Sequence, residues 1–147
     1  MMSDYVPVPI HLPLELSCKA FTYRINSLGQ NLAFIDTASG IDYLDHQRAT
    51  YCASLLLGGI DYQPSQVALQ GSSLVITFGA SERQVTLQLG QHESYLTLRV
   101  LRAPAETERL QFCNIPLKLK GNVAEPFGAC AYALNLFTQV TELPTVQ

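Results

Sequence analysis

The residue types best suited to chemistry in this chain lie close together between Asp36 and His46. The segment reads Asp36-Thr37-Ala38-Ser39-Gly40-Ile41-Asp42-Tyr43-Leu44-Asp45-His46 and holds three carboxylates and one imidazole. Carboxylate oxygens bind cations, and a carboxylate near an imidazole can act in acid–base chemistry. We predict that any ligand contacts come from the second half of the segment, from Asp42, Tyr43, Asp45 and His46.

A structural interpretation of the same segment stays open beside the functional one. Asp and Ser side chains bond to nearby backbone groups and are therefore common in turns, which suits Asp36 and Ser39. The spacing of the acids is not that of an EF-hand loop, which needs ligands at alternate positions and a closing Glu. We therefore predict no metal site and no cofactor.

No pattern of known catalytic geometry stands out elsewhere in the chain. The nucleophile motif G-x-S-x-G does not occur. Most other acids are predicted in turns, where two carboxylates facing one another across a cleft are not expected. The histidines His11, His46 and His92 are far apart in sequence. We assign no catalytic residue, and a small hydrolase using the segment Asp36–His46 is the least favoured of three hypotheses.

The charge pattern disfavours two classes of partner. The 147 residues carry 9 basic and 12 acidic side chains, a net charge of −3, and no cluster of Lys and Arg. Nucleic acids and anionic membrane surfaces are bound by basic faces, so neither is expected as a partner.

There is also no run of about 18 apolar residues and no basic leader region, so we predict neither a membrane span nor a secretory signal, and the compartment is left open.

Four widely spaced cysteines, Cys18, Cys52, Cys113 and Cys130, give no metal or redox pattern. One interpretation is that these cysteines form two disulfides. The interpretation as free thiols is favoured, because three of the cysteines lie in apolar, strand-like runs, where a thiol packs as a small hydrophobic group. We expect reduced and buried thiols.

Strands must position all these residues, because the apolar pattern alternates with period two. Leu74–Phe78, Val85–Leu89 and Leu96–Val100 each alternate apolar and polar residues, with short Gly-containing breaks between them. Residues 73–102 are therefore predicted to form a three-stranded meander with Leu96, Leu98 and Val100 facing the core. Weaker candidates for strands are the segments 21–25, 32–36, 51–57, 66–69, one strand over 109–120 bent at Pro116, and 130–140.

These segments predict an all-β fold, an antiparallel two-layer β-sandwich of about nine or ten strands, in one domain covering residues 1–147. The chain is long enough to bury a core without disulfides. Tyr43, Tyr62 and Tyr95 adjoin polar residues, so each is a candidate for stacking on a sugar ring or anchoring an interface. The alternative for each tyrosine is a half-buried place in the sheet.

The run Asn31–Asp36 followed by Ser39–Leu44 resembles the opening of N-terminal β-sandwich domains in large bacterial carbohydrate-active proteins. The runs Ser94–Leu98 and Leu110–Leu117 are similar in pattern, so the resemblance covers about residues 20–140. It implies a non-catalytic module of a larger glycan-processing protein, packed on a catalytic or other domain of the same chain and in contact with carbohydrate. No catalytic residue is carried over, because the acids of such proteins lie in the following domain.

A stand-alone β-barrel that binds a small molecule or a lipid is the alternative to this module. The two hypotheses differ in what the fold must contain. A binder of this kind needs a large apolar cavity, whereas a docking module needs an exposed surface for its neighbour.

Overall fold

The computed structural model describes residues 13–120, 124–125, 127–131, 133–134 and 138–140. About half of the described residues, 51%, lie in β-strands or β-bridges, and no α-helix occurs among them. None of the described segments forms a helix of the length and apolarity needed to cross a membrane. The structure of this chain is therefore governed by how strands pair and how their faces are covered.

Ten strands occur in the described residues. They are β1 (Leu14–Ser17), β2 (Phe21–Ile25), β3 (Asn31–Asp36), β4 (Ala53–Leu57), β5 (Ile60–Tyr62), β6 (Pro64–Gln70), β7 (Ser73–Phe78), β8 (Arg83–Gln91), β9 (Leu96–Arg102) and β10 (Arg109–Phe112). A 3-10 turn, Gly79–Ser81, joins β7 to β8.

The strands form three antiparallel sheets. The N-terminal sheet has the order β1-β2-β3, the middle sheet β10-β4-β5, and the four-stranded sheet β6-β7-β8-β9. The all-β antiparallel sandwich of about nine or ten strands predicted from the sequence is confirmed. Most neighbours are consecutive in sequence, whereas β10 returns over a long connection to pair with β4.

One hydrophobic core is shared by the three sheets. It contains residues that alternate along every longer strand, and its fully buried members include Ile25, Leu55, Ile76, Phe78 and Leu87. Period-two alternation places such residues on one face of each sheet, so that the faces meet and exclude water. The core therefore holds the sheets together as one packed unit.

The predicted meander over residues 73–102 is present as β7, β8 and β9. Leu74 lies opposite Leu87 and Ile76 lies opposite Val85, and all four side chains are buried. The turn between β7 and β8 ends at Glu82, whose φ of 55° lies in the left-handed region. A short turn of this kind lets the two strands pair directly.

The predicted inward face of β9 needs correction. Leu96 and Leu98 are half-buried, but Val100 is 40% exposed. The physical reason is position: β9 is at the edge of its sheet, and its register shifts opposite Thr86 and Leu87. An edge strand has a neighbour on one side only, so alternation along it does not ensure burial.

The predicted long strand over 109–120, bent at Pro116, is also wrong. The strand β10 ends at Phe112, and Cys113 has a φ of 56°. The left-handed backbone at Cys113 turns the chain, and the Asn114 N–H donates to the Cys52 carbonyl at 3.0 Å. Beyond this point Leu117 forms an isolated bridge with Leu44.

Two short strands were not predicted, and one predicted strand is absent from the described residues of its segment. β1 and β5 have four and three residues, too few to show a clear alternation. Within the predicted strand over 130–140, the described residues lie outside any strand, and residues 132 and 135–137 lie outside the described part of the chain.

The four cysteines are free, as predicted, but their burial differs from the prediction. Cys52 is buried, Cys18 is half-buried, and Cys113 and Cys130 are exposed. Burial raises the pKa of the Cys52 thiol to about 12. Cys130 lies outside any described strand, and Cys113 follows the end of β10, so both residues expose surface; the Cys113 thiol is nevertheless buried, which raises its pKa to about 11.

Replacing Leu87 with Ala should cost about 2–5 kcal/mol in the free energy of unfolding, because a fully buried side chain would leave a cavity. Leu98→Ala should cost less, since Leu98 is half-buried. Thr86→Ala is the matched control on the outer face of the same strand and should cost far less. Urea unfolding measures all three; equal costs for Leu87 and Thr86 would show that the register of β8 is wrong.

Candidate functional site

The segment Asp36–His46 forms a return loop on the edge of β3. The Asp36 N–H donates to the Ile41 carbonyl at 2.9 Å, and the Tyr43 N–H donates to the Phe34 carbonyl at 2.8 Å. Gly40 makes the reversal possible, because its φ of 72° is readily adopted by glycine. The loop thus runs back along β3 in antiparallel pairing.

Asp36 has a turn-forming role within this loop. Its side chain is buried, and one carboxylate oxygen accepts a hydrogen bond from the Ser39 hydroxyl at 2.7 Å. The backbone N–H groups of Ala38 and Ser39 point to the same carboxylate at 3.4 and 3.3 Å. The turn interpretation of Asp36 and Ser39 therefore agrees with the geometry.

Asp42 is the most highly coordinated carboxylate of the loop. Its Oδ1 accepts the backbone N–H groups of Phe34 at 2.9 Å and Leu44 at 3.0 Å. Its Oδ2 lies 2.7 Å from the Nε2 atom of His46. Partial burial acts to raise the pKa of Asp42, but the bonds from Phe34, His46 and Leu44 outweigh it and lower the pKa below the ordinary value.

The four predicted ligand residues are not all brought together. Asp42 and His46 form a pair, while Asp45 accepts a bond from the Gln47 N–H at 3.0 Å and, within the described part of the chain, makes no bond to that pair. Tyr43 is only 7% exposed and stacks on Phe127, with ring centroids 4.7 Å apart. A neighbour distant in sequence therefore covers the tyrosine.

The chemistry open to the Asp42–His46 pair is limited by its surroundings. An acid–base pair needs a nucleophile or a bound substrate beside it, and the nearby Ser39 hydroxyl donates to Asp36 instead. Across residues 13–120 and the shorter described stretches, no three His, Cys, Asp or Glu side chains are grouped as metal ligands. The pair has the geometry of a loop-fixing contact, since both Asp42 oxygens hold parts of the loop.

A second polar cluster, not predicted from the sequence, lies inside the sandwich. The Tyr23 hydroxyl donates to the Asn31 side-chain oxygen, and the Asn31 Nδ2 atom donates to the Thr50 hydroxyl and to the Asn114 carbonyl, each at 2.9 Å. Burial, with the thiols of Cys52 and Cys113 nearby, raises the pKa of Tyr23 well above its usual value. The sequence feature that could have indicated this cluster was the polar Asn31 at the start of an apolar strand.

A third feature is exposed, at the free side of the four-stranded sheet. We call Tyr95 together with β9 the β9 margin. Tyr95, Val100 and Leu101 are 54%, 40% and 46% exposed, and Tyr95 stacks on His92 with ring centroids 4.3 Å apart. Of the three tyrosines considered as contact residues, Tyr43 is buried and Tyr62 is half-buried, so Tyr95 is the exposed one.

A surface groove of about 400 Å³ adjoins the C-terminal end of β9. Its walls include Glu82, Arg83, Thr86 and Arg102. Arg83 is paired with Glu106 at 2.7 Å. The groove is therefore open and charged, unlike the apolar cavity of a lipid-binding barrel.

Fold and site together define a small all-β sandwich with a structural acidic loop and an exposed strand edge. Comparison of the chain with known protein families, with curated proteins and with solved structures finds no match. Function must therefore be argued from the residues of this chain.

The Asp42 carboxylate should make stability depend on pH in the acid range. Its folded-state pKa is lowered, so its contribution is present above about pH 4, the unfolded pKa, and is lost as pH falls through the folded pKa. Urea unfolding of the wild type and of Asp42→Asn should show a stability difference at pH 6 that shrinks below pH 4. Asp45→Asn controls for net charge. Parallel pH curves for wild type and Asp42→Asn would contradict the assignment.

Proposed function

We propose that this chain is a non-catalytic β-sandwich module that docks on another protein domain through the β9 margin. One observation carries the proposal: Tyr95, Val100 and Leu101 are exposed together on the free edge of the four-stranded sheet. Single exposed apolar residues are common, but their grouping along an unpaired edge is what natural proteins avoid unless the edge is used or protected.

The partner proposed for this surface follows from the resemblance of the sequence. The chain is similar in pattern to N-terminal modules of bacterial carbohydrate-active proteins, so the partner is proposed to be a catalytic or other domain of the same glycan-processing chain. Contact with carbohydrate stays a prediction, and Tyr95 is the tyrosine with the exposure needed for it. Binding on a glycan array that is lost in Tyr95→Ala is the measurement that decides it.

The hydrogen bonds within the acidic loop support the non-catalytic part of the proposal. Asp36 is bonded within its own turn, and Asp42 holds two backbone N–H groups besides His46. Carboxylates engaged in this way support the loop. The hydrolase hypothesis would need the same groups that the loop uses for its own structure.

The chain should show no turnover of chromogenic glycosides or esters, with or without divalent metal ions, because both Asp42 oxygens are already bonded and the Ser39 hydroxyl donates to Asp36 and not to the Asp42–His46 pair. The assay is a plate-reader screen of the purified chain at several pH values. Turnover that disappears in both Asp42→Ala and His46→Ala, with folding intact by circular dichroism, would replace the module by the hydrolase hypothesis.

Docking can be tested by photo-crosslinking from defined positions. A photoreactive amino acid at Leu101 should crosslink reproducibly to one protein domain in the native host, while the same amino acid at Gln88, on the outer face of β8, should not. The captured domain is then purified, and its affinity for the chain is measured with wild type and Leu101→Glu. Equal affinity for both, or crosslinks at Gln88 alone, would contradict docking at the β9 margin.

A further inference from the structure

We infer that the β9 margin binds an extended, acidic segment of its partner as an added β-strand. This inference rests on the function proposed above and specifies the partner's chemistry at the same surface. Three observations on the described residues carry it: a free backbone edge, two arginines without ion pairs on one face, and exposed apolar side chains on the same strand.

The backbone edge of β9 is the first observation. The seven residues of β9 pair with β8 on one side, and within the described part of the chain no strand or backbone hydrogen bond occupies the other side. An unpaired edge presents N–H and C=O groups at alternate residues, which an extended peptide can pair with.

Other sheet edges offer less. β5 has three residues, and β1 and β10 have four each. The edge strand β6 already receives a contact, because the Val67 N–H donates to the Ser27 carbonyl at 2.7 Å. The edge strand β3 pairs with its own return loop at Asp42. Among the described strands, β9 is therefore the longest with one unoccupied side.

The charge of β9 is the second observation. Arg99 lies opposite Gln88 and Arg102 lies opposite Thr86, although a strand normally points residues three apart to opposite faces. The register shift between Thr86 and Leu87 adds one residue to β9, Leu101, and so returns Arg102 to the face of Arg99. This face is the outer one, because Leu87 between the two partners is buried.

Neither arginine is neutralised within the described part of the chain. Arg83 pairs with Glu106 at 2.7 Å and Arg24 with Glu15 at 2.8 Å, whereas Arg99 and Arg102 have no acidic partner there. β9 itself contains no acid. Side chains directly opposite on adjacent strands interact, so an added strand with Glu or Asp on its outer face would pair with both arginines.

The apolar residues of β9 are the third observation. Leu96 and Leu98 are half-buried and Val100 is 40% exposed, because no further strand of the described chain covers their free side. The inner face of an added strand would cover them with apolar side chains. The matching segment therefore alternates apolar and acidic residues over about seven positions, the length of β9.

A second copy of this chain is a poorer occupant of the edge. Pairing β9 with β9 would bring arginines of both copies to the same face, where like charges opposite one another are destabilising. The two arginines thus disfavour self-association and favour an acidic strand. This charge complementarity is what selects the partner.

The experiment uses two fluorescein-labelled peptides of nine residues, one alternating Val with Glu and one alternating Val with Lys. Fluorescence anisotropy with the intact chain should show binding of the Glu peptide about tenfold tighter than the Lys peptide at low salt, as two exposed ion pairs would give. The preference should fall as salt is raised. Equal binding of the two peptides would overturn the inference.

Variants of the chain locate the charge effect. The double variant Arg99→Glu with Arg102→Glu should reverse the preference and bind the Lys peptide more tightly. The matched control, Arg48→Glu with Arg109→Glu, makes the same change in net charge at exposed residues outside β9 and should keep the Glu preference. A reversal in both double variants would show that net charge alone sets the peptide preference, and would overturn the inference.

Backbone pairing is tested by N-methylation of the Glu peptide. Methylating alternate residues should abolish binding when the methyl groups point toward β9 and spare it when the other alternate set is methylated. Equal effects of the two sets would exclude an added strand. If neither peptide binds while photo-crosslinks at Leu101 persist, docking at the β9 margin is supported but binding as an added strand is wrong. If the crosslinks are absent too, the proposed function is wrong as well.

Discussion

The turn between β2 and β3 is the contact on which the arrangement of the sheets depends. The Gly29 carbonyl accepts the Cys52 N–H at 2.8 Å, which ties the turn to the start of β4. The Ser27 carbonyl accepts the Val67 N–H at 2.7 Å, which ties the same turn to β6. One short turn of the N-terminal sheet is thus bonded through its backbone to both other sheets.

Glycine is required at the centre of this turn for two reasons. Its φ is 79°, and a Cβ atom at Gly29 would lie 2.6 Å from the Cβ atom of Pro64 in β6. The Asn26 side chain holds the same turn by accepting the N–H groups of Leu28 and Gln30. Because the approach to Pro64 is so close, any larger residue at Gly29 would have to separate the N-terminal sheet from the four-stranded sheet.

The buried polar cluster continues this connection toward the middle sheet. Asn31, directly after the turn, donates to Thr50 and to the chain beyond β10 at Asn114, and it accepts from Tyr23. A buried amide with all these partners costs little and fixes one arrangement, whereas the loss of a partner would leave a buried polar group unpaired. The core is therefore positioned by directional bonds as well as by apolar contact.

How far the sequence predicted the structure depended on whether the decisive contacts were local. The pairing of β7 with β8 followed from period-two alternation and a short turn, both visible within about twenty residues. The turn role of Asp36 and Ser39 was likewise local. By contrast, Tyr43 is covered by Phe127, which is distant in sequence. Val100 is exposed because β9 lies at the edge of its sheet in the described structure. No periodicity within either segment carries that information.

The site was subject to the same limit. Asp42 and His46 looked reactive because their types and spacing suit acid–base chemistry, yet folding gives both Asp42 oxygens partners in the loop and in β3. Groups whose hydrogen bonds are already made contribute little to binding, because a ligand must first displace those bonds. The groups left without intramolecular partners in the described structure include the outer backbone edge of β9 and the side chains of Arg99 and Arg102. Recognition by this chain is therefore expected where the fold leaves hydrogen-bonding capacity unused, on a strand of which alternation had predicted one face to be covered by the core.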